Sequence, residues 1–155
     1  MEKNNPLAKF GQILLGLVII AVLVFAANNI GKLGRPNNNR PDNADMEINK
    51  TLSAMASKFN ETAPFMIDEN TRFDNMIALP GNVLQGNFTA INMTKDEIDP
   101  DYFENELKPM VINQIQTNPD MQNFRKHSNV TIRYYYKDKN GVFIAKIEVT
   151  PDNYE

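Results

Sequence analysis

Three places in the 155-residue sequence carry side chains whose type and spacing could do chemistry. Asp68, Asn70 and Asp74 crowd one short segment. A hydrolase could use Asp68 and Asp74 as a carboxylate pair, one holding a proton while the other accepts one. The segment also carries oxygen ligands in the manner of a calcium loop. It lacks the central Gly and the closing bidentate Glu of such a loop, so no metal is expected there. Asp68 reads more simply as a turn residue that accepts backbone N–H groups, with Thr71 helping. The second place is His127-Ser128, where a base and a hydroxyl adjoin. Neighbours in sequence do not face each other as nucleophile and base, so a surface histidine is the simpler expectation. The third is Arg133-Tyr134-Tyr135-Tyr136. Strand alternation sends Tyr134 and Tyr136 to one face and Arg133 with Tyr135 to the other. One face must be core, and the other then carries two residue types enriched at binding hot spots. Phe65, Asp68, Arg72, Arg133 and Tyr135 are therefore the candidate interaction surface, with no catalytic residue and no cofactor assigned. Tyr135 could instead serve only cross-strand pairing.

The elements that must position these residues can be read from periodicity. Ile48, Leu52, Met55, Ala56 and Phe59 recur at helical spacing from an N-cap near Asp45, and Pro64 ends that helix at about residues 60–62. Phe73, Asn75, Ile77 and Leu79 alternate as a half-buried strand. Leu79-Pro80-Gly81-Asn82 is a type II turn, with Gly81 taking the positive φ, and residues 83–93 return as the second strand. Thr94 and Glu97 have capping-box spacing. A second helix follows from about Asp101, with Asp101, Glu104 and Glu106 near its N-terminus. The acidic cluster at 96–101 is ordinary for a helix start, although it could in principle do acid–base work. Phe103, Leu107, Met110, Val111 and Ile115 form the apolar stripe of this helix. Pro109 should kink or split it, and Asn118-Pro119 ends it. Residues 130–136 and 142–150, joined by Asp138-Lys139-Asn140-Gly141, make a second hairpin. The expected domain is thus α+β, of order α-β-β-α-β-β. Its four-stranded antiparallel sheet would carry helices on one face.

Composition narrows the function. The chain has no cysteine and one histidine, which rules out a disulfide framework, a thiolate nucleophile and a Cys- or His-cluster zinc site. Residues 1–44 carry five basic and two acidic side chains, a net +3, whereas residues 45–155 carry 11 basic and 17 acidic, a net −6. An acidic domain has no footprint for phosphate backbones, so nucleic acid is not an expected partner. Residues 13–27 are unbroken apolar sequence flanked by basic residues. With some polar tolerance the run approaches the length of a spanning helix, which predicts a single-pass anchor at 11–30 contacting lipid. A signal peptide cleaved near Ala26 is the rival. Residues 1–10 would then be a short tail, 31–45 a flexible Asn/Pro/Gly tether, and 46–155 a domain outside the cytoplasm. Asn-x-Thr triplets at Asn49, Asn60, Asn87, Asn92 and Asn129 fit glycosylation acceptors. The overall Asn bias accounts for them more simply.

The pattern Asn60-x-x-x-Pro64-x-x-Ile67-Asp68-x-x-Thr71-Arg72 resembles small bacterial envelope proteins grouped as quorum-sensing-regulated virulence-factor-like proteins. Pro80-Gly81, Asn118-Pro119 and the Tyr-rich strand before Asp138-x-Asn140-Gly141 are similar too. The resemblance spans about residues 52–154, and it implies a non-cytoplasmic α+β domain without known catalysis. The reading that follows is a membrane-anchored, non-catalytic binding domain with an envelope protein as a possible partner. Its alternatives are an accessory subunit of a secretion or envelope complex, a secreted virulence-type factor and, last, a carboxylate-dependent hydrolase.

Overall fold

A computed structural model describes residues 41–127 and 129–154. Helix α1 (Pro41–Asn60) opens on a proline, whose missing N–H costs nothing at a helix start. It begins four residues earlier than the sequence predicts, inside the expected tether. Its stripe Leu52, Met55 and Ala56 is buried. The helix ends on Asn60, whose side-chain amide docks on strand β2. Asn60 Oδ1 accepts from the Met76 N–H and Nδ2 donates to the Met76 carbonyl, both at 2.8 Å.

Strand β1 (Phe65–Met66) is two residues long and pairs with β2 (Thr71–Leu79). A hairpin joins β2 to β3 (Val83–Ala90), with Gly81 at φ +80° as the turn requires and Asn82 also at positive φ. The chain then runs back to the opposite end of the sheet through a 3-10 turn (Lys95–Glu97) and a π turn (Phe103–Leu107). Helix α2 (Lys108–Thr117), a second 3-10 turn (Pro119–Met121) and helix α3 (Gln122–His127) complete the crossing. Glu97 reaches back to the Thr94 N–H at 2.7 Å and forms the reciprocal cap that the spacing predicts. The π turn answers Pro109. A proline there would clash with the carbonyl of Asn105, and the wider turn, closed by Lys108 N–H on the Phe103 carbonyl, relieves it. Strands β4 (Thr131–Asp138) and β5 (Phe143–Val149) form the closing hairpin, and α4 (Pro151–Tyr154) follows. The Tyr154 hydroxyl donates to the Val130 carbonyl at 2.6 Å and ties this end to the start of β4.

The sheet order is β1-β2-β3-β4-β5, five strands and not four. The two hairpins join side by side through a parallel pair, β3 with β4, from Val83 opposite Thr131 to Ala90 opposite Asp138. The sheet is therefore mixed, which corrects the expected antiparallel one. The reason is geometric. The crossing segment returns the chain to the end of the sheet where β3 began, so β4 runs alongside β3 in the same direction.

A second correction concerns β2. A bulge at Asp74 breaks the register between Phe73 and Asn75, so the expected alternation changes phase there. Phe73 and Met76 point inward and are buried, while Asn75 and Ile77 are exposed on the opposite face. The core lies between the inward face and the helices, built from Phe73, Met76, Leu84, Phe88, Ile132, Tyr134, Tyr136 and Ile147 against Leu52, Phe103, Val111, Ile115 and Phe124. Gly86 sits where a Cβ would come within 2.9 Å of the Phe88 ring, so the residue leaves room for that ring to fold over the strand.

The expected membrane helix is also corrected. No helix among the described residues is long and apolar enough to cross a membrane, and the span expected at 11–30 lies outside them. The single-pass anchor, its lipid contact and the localisation built on it have no support among the described residues, and the cleavage site expected near Ala26 lies outside them.

Candidate interaction surface

The face of the sheet turned away from the helices is polar and open. Strand register sets it out in rows. Ile77, Gln85, Arg133 and Glu148 lie opposite one another across β2 to β5. Asn75, Asn87, Tyr135 and Lys146 form the next row, and Arg72, Thr89 and Lys137 the one beyond.

Hydrogen bonds link these rows. Asn87 Nδ2 donates to Asn75 Oδ1 at 2.6 Å, and Gln85 Nε2 donates to Asn87 Oδ1 at 2.8 Å. Arg133 donates to Gln85 Oε1 at 3.3 Å and to Glu148 at 2.7 Å through Nε and 2.6 Å through Nη2. Lys146 Nζ lies 3.5 Å from the other oxygen of Glu148. At the far corner Asp74, which follows inward-facing Phe73, stands on the same face. It accepts from Arg72 Nε at 2.6 Å and Thr89 Oγ1 at 2.6 Å, with Lys137 Nζ at 3.2 Å. Tyr135 packs beside Phe143 with ring centroids 5.1 Å apart, and 41% of Phe143 stays in contact with water.

Each carboxylate is shared by two cations, and this sets its charge state. Burial raises the Asp74 pKa, but hydrogen bonds from Thr89, Arg72 and Lys137 outweigh it and hold the group below the usual aspartate value. Glu148 behaves alike, with burial opposed by Arg133 and Lys146 and the net shift downward. Both are ionised at neutral pH.

The five sequence-predicted surface residues separate. Arg72, Arg133 and Tyr135 lie together on the open face. Phe65 instead packs against the core beside Phe73, with centroids 4.9 Å apart. Asp68 caps the β1–β2 turn, where Oδ1 accepts from the N–H groups of Asn70 at 2.7 Å and Thr71 at 2.8 Å. Asp68 and Asp74 thus serve different structures, one a turn and the other the outer face. No hydrogen bond among the described residues joins them. Also among the described residues, no group of His, Asp and Glu is arranged to hold a metal ion. His127 ends α3, and Ser128 lies outside the described residues.

Several residues of this face escape the motif reading, namely Asp74 as its hub, Gln85, Thr89, Lys137, Lys146 and Glu148. Alternation from Arg133 would have placed Lys137, and the hairpin register would have added Lys146 and Glu148. Alternation from inward-facing Phe73 would have placed Asp74, whereas the bulge that adds Asn75 to the same face has no sequence signal of its own. Asp138 also escapes. Buried at the end of β4, it accepts from Asn140 and Val142 N–H at 2.8 Å each and from Lys95 N–H at 3.0 Å, so it holds the hairpin turn against the crossing segment.

No protein-family model matches the chain, and no curated protein matches it in sequence. Its fold is shared with solved structures. A candidate secreted protein from Pseudomonas aeruginosa superposes with a TM-score of 0.59 at 13% identity, over 72% of this chain and 96% of that one. The type II secretion system pilotin AspS from Vibrio cholerae superposes with a TM-score of 0.51 at 13% identity, over 70% and 94%. At these identities the likeness concerns the fold.

Proposed function

We propose that this protein is a non-catalytic binding subunit accessory to a bacterial secretion complex. The observation that carries the reading is the open sheet face. It is wide and pre-formed, it offers charged, amide and aromatic groups, and the helices leave it uncovered. The carboxylates that could have served hydrolysis are engaged elsewhere, Asp68 in a turn and Asp74 among three donors. The fold shared with a secretion-system pilotin supports the same reading, since that protein is by its description part of a secretion apparatus.

The test is co-purification of the tagged full chain after reversible cross-linking in the cells that make it. A stoichiometric secretion-complex component, lost with the Arg133→Ala variant, is the expected result. A chain that emerges alone from wild-type cells overturns the reading.

A further inference from the structure

The open face differs in charge from the rest of the domain. Arg72, Arg133, Lys137 and Lys146 bring four positive charges to it against Asp74 and Glu148, a net +2. Residues 45–155 together carry −6. The excess divides evenly, because each carboxylate neutralises one of its two cations and leaves one positive charge over. The two clusters are held apart by the register. On β4 they are represented by Lys137 and Arg133, four residues and so about 13 Å apart, with Tyr135 midway on the same face.

From this spacing we infer that the open face binds an extended acidic segment of a partner protein, with two carboxylates flanking an aromatic residue at alternate positions. The proposal rests on the reading of the protein as a binding subunit and names what it binds. An extended chain rises at the same pitch as β4, so acid, aromatic and acid at every second position would meet Lys137, Tyr135 and Arg133 in turn. Reversing the segment leaves the match unchanged. The ring would lie against Tyr135 and Phe143, which already pack together. A membrane surface fits less well, because the excess is one positive charge at each of two points about 13 Å apart, which matches two spaced carboxylates better than a continuous layer of phosphates.

The experiment uses fluorescence anisotropy of a labelled heptapeptide, Ser-Glu-Thr-Phe-Thr-Glu-Ser, with the full chain at low salt. Saturable binding is expected, weakening as salt rises and absent for the peptide with both Glu replaced by Lys. The double variant K137Q/K146Q should bind at least fivefold more weakly, while K126Q on helix α3 should match wild type. Circular dichroism would confirm that both variants are folded. Equal binding by K137Q/K146Q, equal binding of the Lys peptide, or binding to anionic phospholipid vesicles with no binding of either peptide overturns the inference. The cross-linking experiment separates the two failures. A partner captured equally by wild type and K137Q/K146Q removes this inference and leaves the binding subunit standing.

Discussion

The two faces of one sheet are built on opposed principles. On the inner face, rings follow one another across the strands. Phe65 meets Phe73 at 4.9 Å, Phe73 meets Phe88 at 5.6 Å, and Phe88 stacks on Tyr136 at 5.0 Å, which Phe103 closes at 4.9 Å. On the outer face, the same strands carry amides and charges linked donor to acceptor from Asn75 to Glu148. Stability is concentrated on the first face, because buried rings have no substitute partner when one is removed. The second face can exchange its partners for water, or for another molecule, at little cost. Strand alternation, shifted once by the bulge in β2, lets one backbone keep these roles apart.

The comparison is broken most severely by Phe88→Ala, which cuts the ring series at its centre. Loss of about 3–5 kcal/mol of unfolding free energy is expected, read by urea denaturation. A smaller effect would mean that the rings do not act as one packed layer. Asp74→Asn tests the outer face at its most buried charge. A loss of about 1–2 kcal/mol is expected at pH 7, because three donors lose an ionised acceptor. Its pH dependence sharpens the test. The lowered Asp74 pKa means that its ionised form adds stability above the ordinary aspartate range, and that this is lost as pH falls through the lowered value. The gap between wild type and Asp74→Asn should therefore close in acid, below about pH 4. A constant gap from pH 7 to pH 2 would show that shape and not charge sets the effect. The mildest change is Lys146→Gln, on an exposed and shared ion pair. It should leave thermal stability within about 0.5 kcal/mol of wild type. A larger loss would mean that the outer face is structural and not free to exchange partners.

How much of this was open to reading in the sequence follows from the range of the interactions involved. The stripe of Leu52, Met55 and Ala56, the Gly81 turn, the Thr94–Glu97 cap and the disturbance at Pro109 depend on residues a few positions apart, and periodicity exposes them. The pairing of β3 with β4 joins residues 48 apart, and nothing local marks it as parallel. The bulge at Asp74 is similarly silent. It reversed the phase expected for Asn75 and Ile77. For the site, alternation through Arg133 and Tyr135 placed both on one face with Tyr134 and Tyr136 opposite. Phe65 and Asp68 are expected on the same surface, but a ring beside a two-residue strand finds the core and a carboxylate after a strand end finds turn amides. The Asn60–Arg72 pattern is built of such local devices, which is why its residues trace the architecture of one corner more than a point of contact.

Asn60 has a consequence beyond the corner it fastens. Its amide presents one acceptor and one donor to Met76, the pair of groups that a neighbouring strand would present, and so it acts as a one-residue counterfeit of a sixth strand. β1 pairs with Arg72 and Phe73 before it, so this flank of β2 is met partly by a strand and partly by a side chain. A foreign strand approaching Met76 must first displace this amide, so the end of helix α1 guards that position of the edge against unwanted pairing.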